Sequence, residues 1–217
     1  MADIRAFVQN QSVGRAGDGS IAGLRMTADG ALYVANLTLS AAIEGRMFGF
    51  NSGVVTTPAA TAATTAITNT IASSYVRVPD GTAIVPVYAR LVVESNGATT
   101  QGEASLLIAQ NDIGVGGGAA ASSGASAINL NTASPLASNC TPNQIATAST
   151  APTNPLELAR YSFAAAAVNQ HFEWVGAVNN MAPVVRGAGT FGFYIGGNAV
   201  QFYSIIIWAE FPENSLS

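Results

Sequence analysis

Lysine is absent from this 217-residue chain, and its 8 basic residues are all arginine. Against 12 acidic residues they leave a net charge of −4. A phosphate-binding surface needs clustered cations, so the composition speaks against nucleic acid as a partner. A single cysteine, Cys140, excludes an intrachain disulfide framework, and a single histidine, His171, leaves zinc chemistry short of ligands. No apolar run reaches the roughly 18 residues of a membrane span without an interrupting Thr, Ser, Asn or Gln. The opening Met1-Ala2-Asp3-Ile4-Arg5 lacks the basic-then-apolar order of a secretory signal. The glycosylation sequons at Asn10, Asn36 and Asn139 therefore carry no weight.

Charge of either sign is scarce. Charged residues make 9% of the chain, against roughly 25% in an average soluble domain. Area scaling gives a folded monomer about 9,000 Å² of surface, hence about one charge per 450 Å². So bland a surface favours association, and the expectation is that copies of the chain or other subunits cover much of it.

What is abundant is small: 40 alanines and 22 glycines. Two tracts, Thr56–Ser74 and Gly114–Asn154, hold few large apolar residues and read as long loops or as arms ordered by neighbours. Elsewhere the pattern is β. Leu24-Arg25-Met26-Thr27 and Ala31-Leu32-Tyr33-Val34 flank Asp29-Gly30, a tight-hairpin pair. Thr82–Glu94 is β-branched and aromatic, begins after the Pro79-Asp80-Gly81 turn and ends at Asn96-Gly97, with Glu103–Gln110 as its expected hairpin return. Pro86 inside that strand predicts an edge position or a bulge. Phe172–Val178 is a further short strand. Thr190–Ile195 and Gln201–Phe211 bracket Gly196-Gly197-Asn198, a third hairpin signal. The last of these, QFYSIIIWAEF, is apolar on both faces and so belongs to a strand covered on both sides. Only Asn154–Arg160 reads as helical, with Asn at the cap, Pro first and Glu three after the cap. Short strands and long connections without βαβ alternation predict an all-β antiparallel sandwich, jelly-roll-like. The expected organisation is an N-terminal arm over 1–20 and one sandwich domain over 21–217.

No constellation spells out catalysis. Gly114-Val115-Gly116-Gly117-Gly118-Ala119 has the spacing of a dinucleotide fingerprint, but no Asp or Glu occurs between Asp112 and Glu157, so it reads as a flexible loop. His171 and Glu173 would share a strand face, which would let a carboxylate orient the imidazole, alone or with Cys140 as nucleophile. There is no Gly-x-Ser-x-Gly elbow, and a surface or subunit-contact histidine is the simpler reading. Cys140, in a polar loop, reads as a thiol without a role. Asp18, Asp29 and Asp80 each precede glycine and are explained by turn chemistry, not calcium. Phe191, Phe193, Tyr194, Phe202, Tyr203, Trp208 and Phe211 would be sugar platforms if exposed, but their alternation points to core or interface. Catalytic, cofactor and metal residues are all expected to be absent.

Three stretches, Asp18–Leu37, Val78–Ser95 and Gln201–Phe211, resemble segments of bacteriophage virion structural proteins, in particular capsid cement or decoration subunits and jelly-roll shell proteins. The resemblance implies a homotrimeric, non-enzymatic block that binds a major capsid protein or other shell subunits, with no cofactor, no nucleic acid and no membrane partner. It implies a place in the virion, on the outer surface of the capsid, after assembly in the host cytoplasm. The alternative is a carbohydrate-binding or receptor-binding β-sandwich module. A hydrolase built on His171 is a third reading.

Overall fold

The computed structural model describes residues 37–53, 56–61, 66–97, 101–114, 126–146, 149–166, 169–176 and 183–216. The expected arm over 1–20 and the Asp29-Gly30 hairpin lie outside them. A short helix, α1 (Leu37–Ile43), leads into β1 (Met47–Ser52), β2 (Ala59–Ala60), β3 (Ser74–Val78), β4 (Thr82–Ser95), β5 (Gly102–Ala109) and β6 (Ile128–Asn129). There follow β7 (Thr141–Gln144), β8 (Leu156–Phe163), β9 (Gln170–Val175), β10 (Val185–Arg186), β11 (Gly189–Gly196) and β12 (Gln201–Pro212), closed by a 3₁₀ turn at Glu213–Leu216. No helix among the described residues is long and apolar enough to cross a membrane.

The strands form two antiparallel sheets. The first runs β10-β4-β12-β1-β6, with β9 also on β4 and β2 also on β12; the second runs β7-β3-β11-β5-β8. Take only the strands of five residues or more and number them in chain order. The first sheet then places the first, eighth, third and sixth side by side, and the second sheet the second, seventh, fourth and fifth. That order is a jelly roll, as its alternating hydrophobic strands and long connections predict.

The core lies between the sheets. On β12, Phe202, Ser204, Ile206 and Trp208 point inward and are buried, in the period of two that a strand imposes. Trp208 stands 6.2 Å from Phe48 and 6.3 Å from Phe50 between ring centroids. Two aromatic pairs join the sheets at the other end: Trp174 of β9 with Phe191 of β11 at 5.8 Å, and Phe172 of β9 with Tyr161 of β8 at 4.8 Å. A buried serine chain adds a polar link, Ser52 Oγ donating to Ser74 Oγ at 2.9 Å and Ser74 Oγ lying 2.6 Å from Ser204 Oγ. β12 is covered on both faces at its C-terminal end, where Ala41 of α1 meets Val85, Ala209 and Phe211. Pro86 sits at a bulge: the register passes from Ile207↔Tyr88 to Trp208↔Pro86. On the other side of β4 it falls in the gap between β10, paired at Ala83 and Ile84, and β9, paired from Tyr88 onward.

Three expectations need correction. Glu103–Gln110 is not the return of β4: β5 pairs with β11 and β8 in the opposite sheet. Gly196-Gly197-Asn198 likewise carries β11 across to β12 in the other sheet and closes no hairpin. Turn residues mark where a chain reverses; burial of both inner faces decides which sheet it joins. Asn154–Arg160 is not helical. Its residues open β8, where pairing with β5 from Leu156↔Ile108 to Phe163↔Gly102 outweighs a weak local helix signal. The tracts read as loops also carry strands, β2 in the first and β6 and β7 in the second.

The outer face of the second sheet is roofed by the chain's own connections, with Tyr75, Leu107 and Tyr194 beneath Ala72, Ile113 and Ala146. Asp112 fastens this roof. It accepts from Arg77 Nε at 2.6 Å, from Arg77 Nη2 at 2.5 Å and from the Gly114 amide at 2.8 Å. Bonding to Arg77 holds the Asp112 carboxyl below the usual carboxylate range. A depressed folded-state pKa stabilises the fold above the unfolded value, and that contribution is lost as pH falls through the folded one. Both side chains are about a third exposed, so the contribution is about 0.5–1 kcal/mol. Asp112→Asn is expected to lower the urea midpoint at pH 7 and to lower it progressively less as pH falls through the carboxyl's folded-state range.

Candidate interaction surface

The residues weighed for chemistry are not brought together. His171 lies exposed on the outer face of the first sheet, opposite Val92. Glu173 shares that face, as the period of two requires, but it is engaged elsewhere. It accepts from Tyr88 Oη at 3.0 Å and stands 3.6 Å from Arg90 Nε. Cys140 is not in an exposed polar loop: it is buried in the core beside Glu210. Burial, then the charge and hydrogen bonding of Glu210, push its thiol well above the ordinary range, so it is held as a thiol and not as a nucleophilic thiolate. Asp80 occupies a tight turn, with Thr82 N donating to Pro79 O at 3.2 Å and Gly81 at φ +77. Among the described residues no three His, Cys, Asp or Glu side chains are grouped to hold a metal. Asp18, Asp29 and residues 115–119 of the glycine run lie outside the described residues; Gly114 itself is a turn residue whose carbonyl accepts from Tyr75 Oη at 3.0 Å.

The aromatic residues considered as sugar platforms are core. Phe191, Phe193, Tyr194, Phe202, Trp208 and Phe211 are buried, and Tyr203 is partly so.

Glu210 is a residue whose role sequence reading missed. It is buried at the end of β12 and accepts from Ser138 Oγ at 2.6 Å, Asn139 N at 2.9 Å and Trp208 Nε1 at 3.5 Å. Its carboxylate ties the 134–140 segment to β12 and forms one wall of a cleft of about 240 Å³ with Gly45, Arg46 and Leu136. The available signal was its isolation: it is the only charge within residues 201–211.

This tie presents an apolar edge. Asn129 Nδ2 donates to Gly45 O at 2.7 Å and to Leu136 O at 3.0 Å, and Asn131 Nδ2 donates to Ile43 O at 3.1 Å. The asparagines thereby hold the 128–136 segment against the end of α1. Ile128 of β6 and Leu130 just beyond it, two apart, share one side, since Leu130 N still bonds Met47 O at 2.9 Å, while Leu39 and Ile43, four apart, share one side of α1. All four are exposed, Ile128 to 57%, as is Leu136. Among the described residues β6 is the last strand of its sheet, and no further strand pairs with its outer edge. Charges stay clear of the patch or are neutralised nearby. The five described arginines each face a carboxylate: Arg46 with Glu44, Arg77 with Asp112, Arg90 with Glu173, Arg160 with Glu103 and Glu157, and Arg186 with Glu213.

No protein-family model matches the chain, and searches of curated proteins and of solved structures likewise return no match.

Proposed function

We propose that the protein is a non-enzymatic structural component of a virion: a capsid cement or decoration subunit that trimerises and binds neighbouring shell subunits. The observation that carries this reading is the exposed apolar patch of α1, β6 and Leu136 at a sheet edge. Such a surface can be desolvated against another subunit without burying a charge. The jelly roll adds a fold-level analogy, since viral capsid domains and lectins both use it. The lectin side of that analogy finds its expected platforms in the core instead of on the surface. Neutralised arginines and an acidic balance argue for a position away from packaged nucleic acid, on the outer side of a shell.

Light scattering of the purified full chain tests the reading. The expected species is three copies of the 22.0 kDa chain. Leu130→Asp is expected to shift that species to monomer while leaving the melting temperature of the isolated fold within about 2 °C, because the side chain is already exposed. A wild-type chain that stays monomeric at high micromolar concentration overturns the proposal.

A further inference from the structure

Among the described residues β8 and β10 are end strands of opposite sheets, and between them opens a cleft of about 430 Å³. Its floor is the margin of the core: Val185 is buried, and Ile108 is partly buried against the same cluster. Its mouth is apolar too, with Leu156 exposed to 56% and Val184 to 45%. Leu156 stands opposite Ile108 in the β5–β8 ladder, so apolar surface runs from rim to floor.

The β10 wall is fixed in place. Gly187 N donates to Thr82 O at 2.9 Å. A Cβ on Gly187 would strike the Pro79 carbonyl oxygen, and one on Gly189 the Arg186 carbonyl oxygen. The cleft is therefore formed before any ligand enters, and its volume falls within the roughly 300–1,000 Å³ of small-molecule sites.

Three polar side chains complete the lining: Gln110, Asn154 and Arg186. Asn154 Nδ2 donates to Gln110 Oε1 at 3.0 Å, which holds the two amides together at the rim. Arg186 is the one charged side chain among the described residues that line the cleft. Its Nη1 stands 4.0 Å from Glu213 Oε1. A guanidinium carries five N–H donors and can serve two carboxylates, as Arg160 does with Glu103 and Glu157. An apolar slot with a single cation at its rim suits an apolar body that ends in an anion.

We infer that the cleft between β8 and β10 binds a small aliphatic carboxylate, with its chain against Ile108, Leu156, Val184 and Val185 and its carboxylate on Arg186. The planar carboxylate matches the guanidinium fork in shape and charge, which an uncharged alcohol does not. The inference does not depend on the assembly reading, whose patch lies on α1, β6 and Leu136.

Octanoate is the probe, titrated below its micelle range into the full chain and followed by saturation-transfer NMR. With about ten non-hydrogen atoms, it is expected to bind with a dissociation constant of about 0.1–1 mM. Octanol keeps the chain and acetate keeps the charge; each is expected to bind at least about tenfold more weakly. Val184→Trp fills the mouth and is expected to abolish binding. Leu156→Gln, a milder change at an exposed position, is expected to weaken it about fivefold. Far-ultraviolet circular dichroism checks the fold of both. Arg186→Gln is expected to bring octanoate down to the octanol level, and Glu213→Gln, which removes a competing carboxylate, to tighten it about threefold. Absence of saturable binding in the millimolar range overturns the inference, as does octanol binding as tightly as octanoate. Octanoate binding that is unchanged in folded Val184→Trp and Leu156→Gln, or weakened by Glu213→Gln, overturns it as well.

Discussion

Trp208→Ala is expected to destabilise the folded chain by about 4 kcal/mol and to lower its melting temperature by about 10 °C. The side chain is 0% exposed and lies in the tier of rings that includes Phe48 and Phe50. Truncation removes the transfer energy of the largest core side chain and leaves a cavity walled by two rigid rings, which close over it poorly. A second cost comes from Glu210, which loses its indole donor at 3.5 Å while remaining buried. Trp208→Phe separates the two terms, keeping most of the volume and dropping the hydrogen bond, so about 1–2 kcal/mol is expected. Urea denaturation measures both. A loss under about 1 kcal/mol for Trp208→Ala would place the ring outside the cooperative core.

Gly192→Val is expected to cost more, at least about 4 kcal/mol, and to yield little soluble protein. Gly192 lies midway along β11, between Tyr75 of β3 and Leu107 of β5. A Cβ built there collides with the Ser74 carbonyl oxygen and with Tyr75, neither of which can step aside without opening the ladder. Gly81 provides the contrast. A Cβ there meets nothing within 4 Å, and its φ of +77 is the only demand. Gly81→Asn should cost under about 1 kcal/mol, because Asn tolerates that conformation. Chemical denaturation of the two variants side by side tests whether crowding or backbone conformation governs these glycines. Equal losses would overturn the distinction.

The architecture was legible wherever a residue pattern expressed burial. β12 announced itself through alternating large side chains, and Pro86 announced its bulge because a residue without an amide hydrogen disturbs any ladder it joins. Pairing was not legible. Glu103–Gln110 looks the same whether it turns back on β4 or crosses to β11, since both give its inner face a core. Gly192 carries no sequence mark that distinguishes close approach from a flexible turn. The surface was obscured for a related reason. Ile128, Leu130 and Leu136 are nearly the only large apolar residues in a tract of Gly, Ala, Ser and Asn, and their sparseness made the tract read as a loop. Three asparagine hydrogen bonds and the Glu210 tie bring them to one edge, and those contacts span up to 88 residues of sequence. Cys140 was misjudged likewise: its sequence neighbours are polar, and only the fold turns it inward.

β12 is both the last of the described strands and the central one of its sheet, flanked by β4 on one side and by β1 and β2 on the other. During synthesis the ribosome therefore delivers every other described strand before the one that joins them. The first sheet cannot close until β12 has been made, and β1 waits for its long partner some 150 residues later. Such distant closures are slow. A chain cut before residue 201 leaves β1 only the two-residue β6 to pair with and no link to β4.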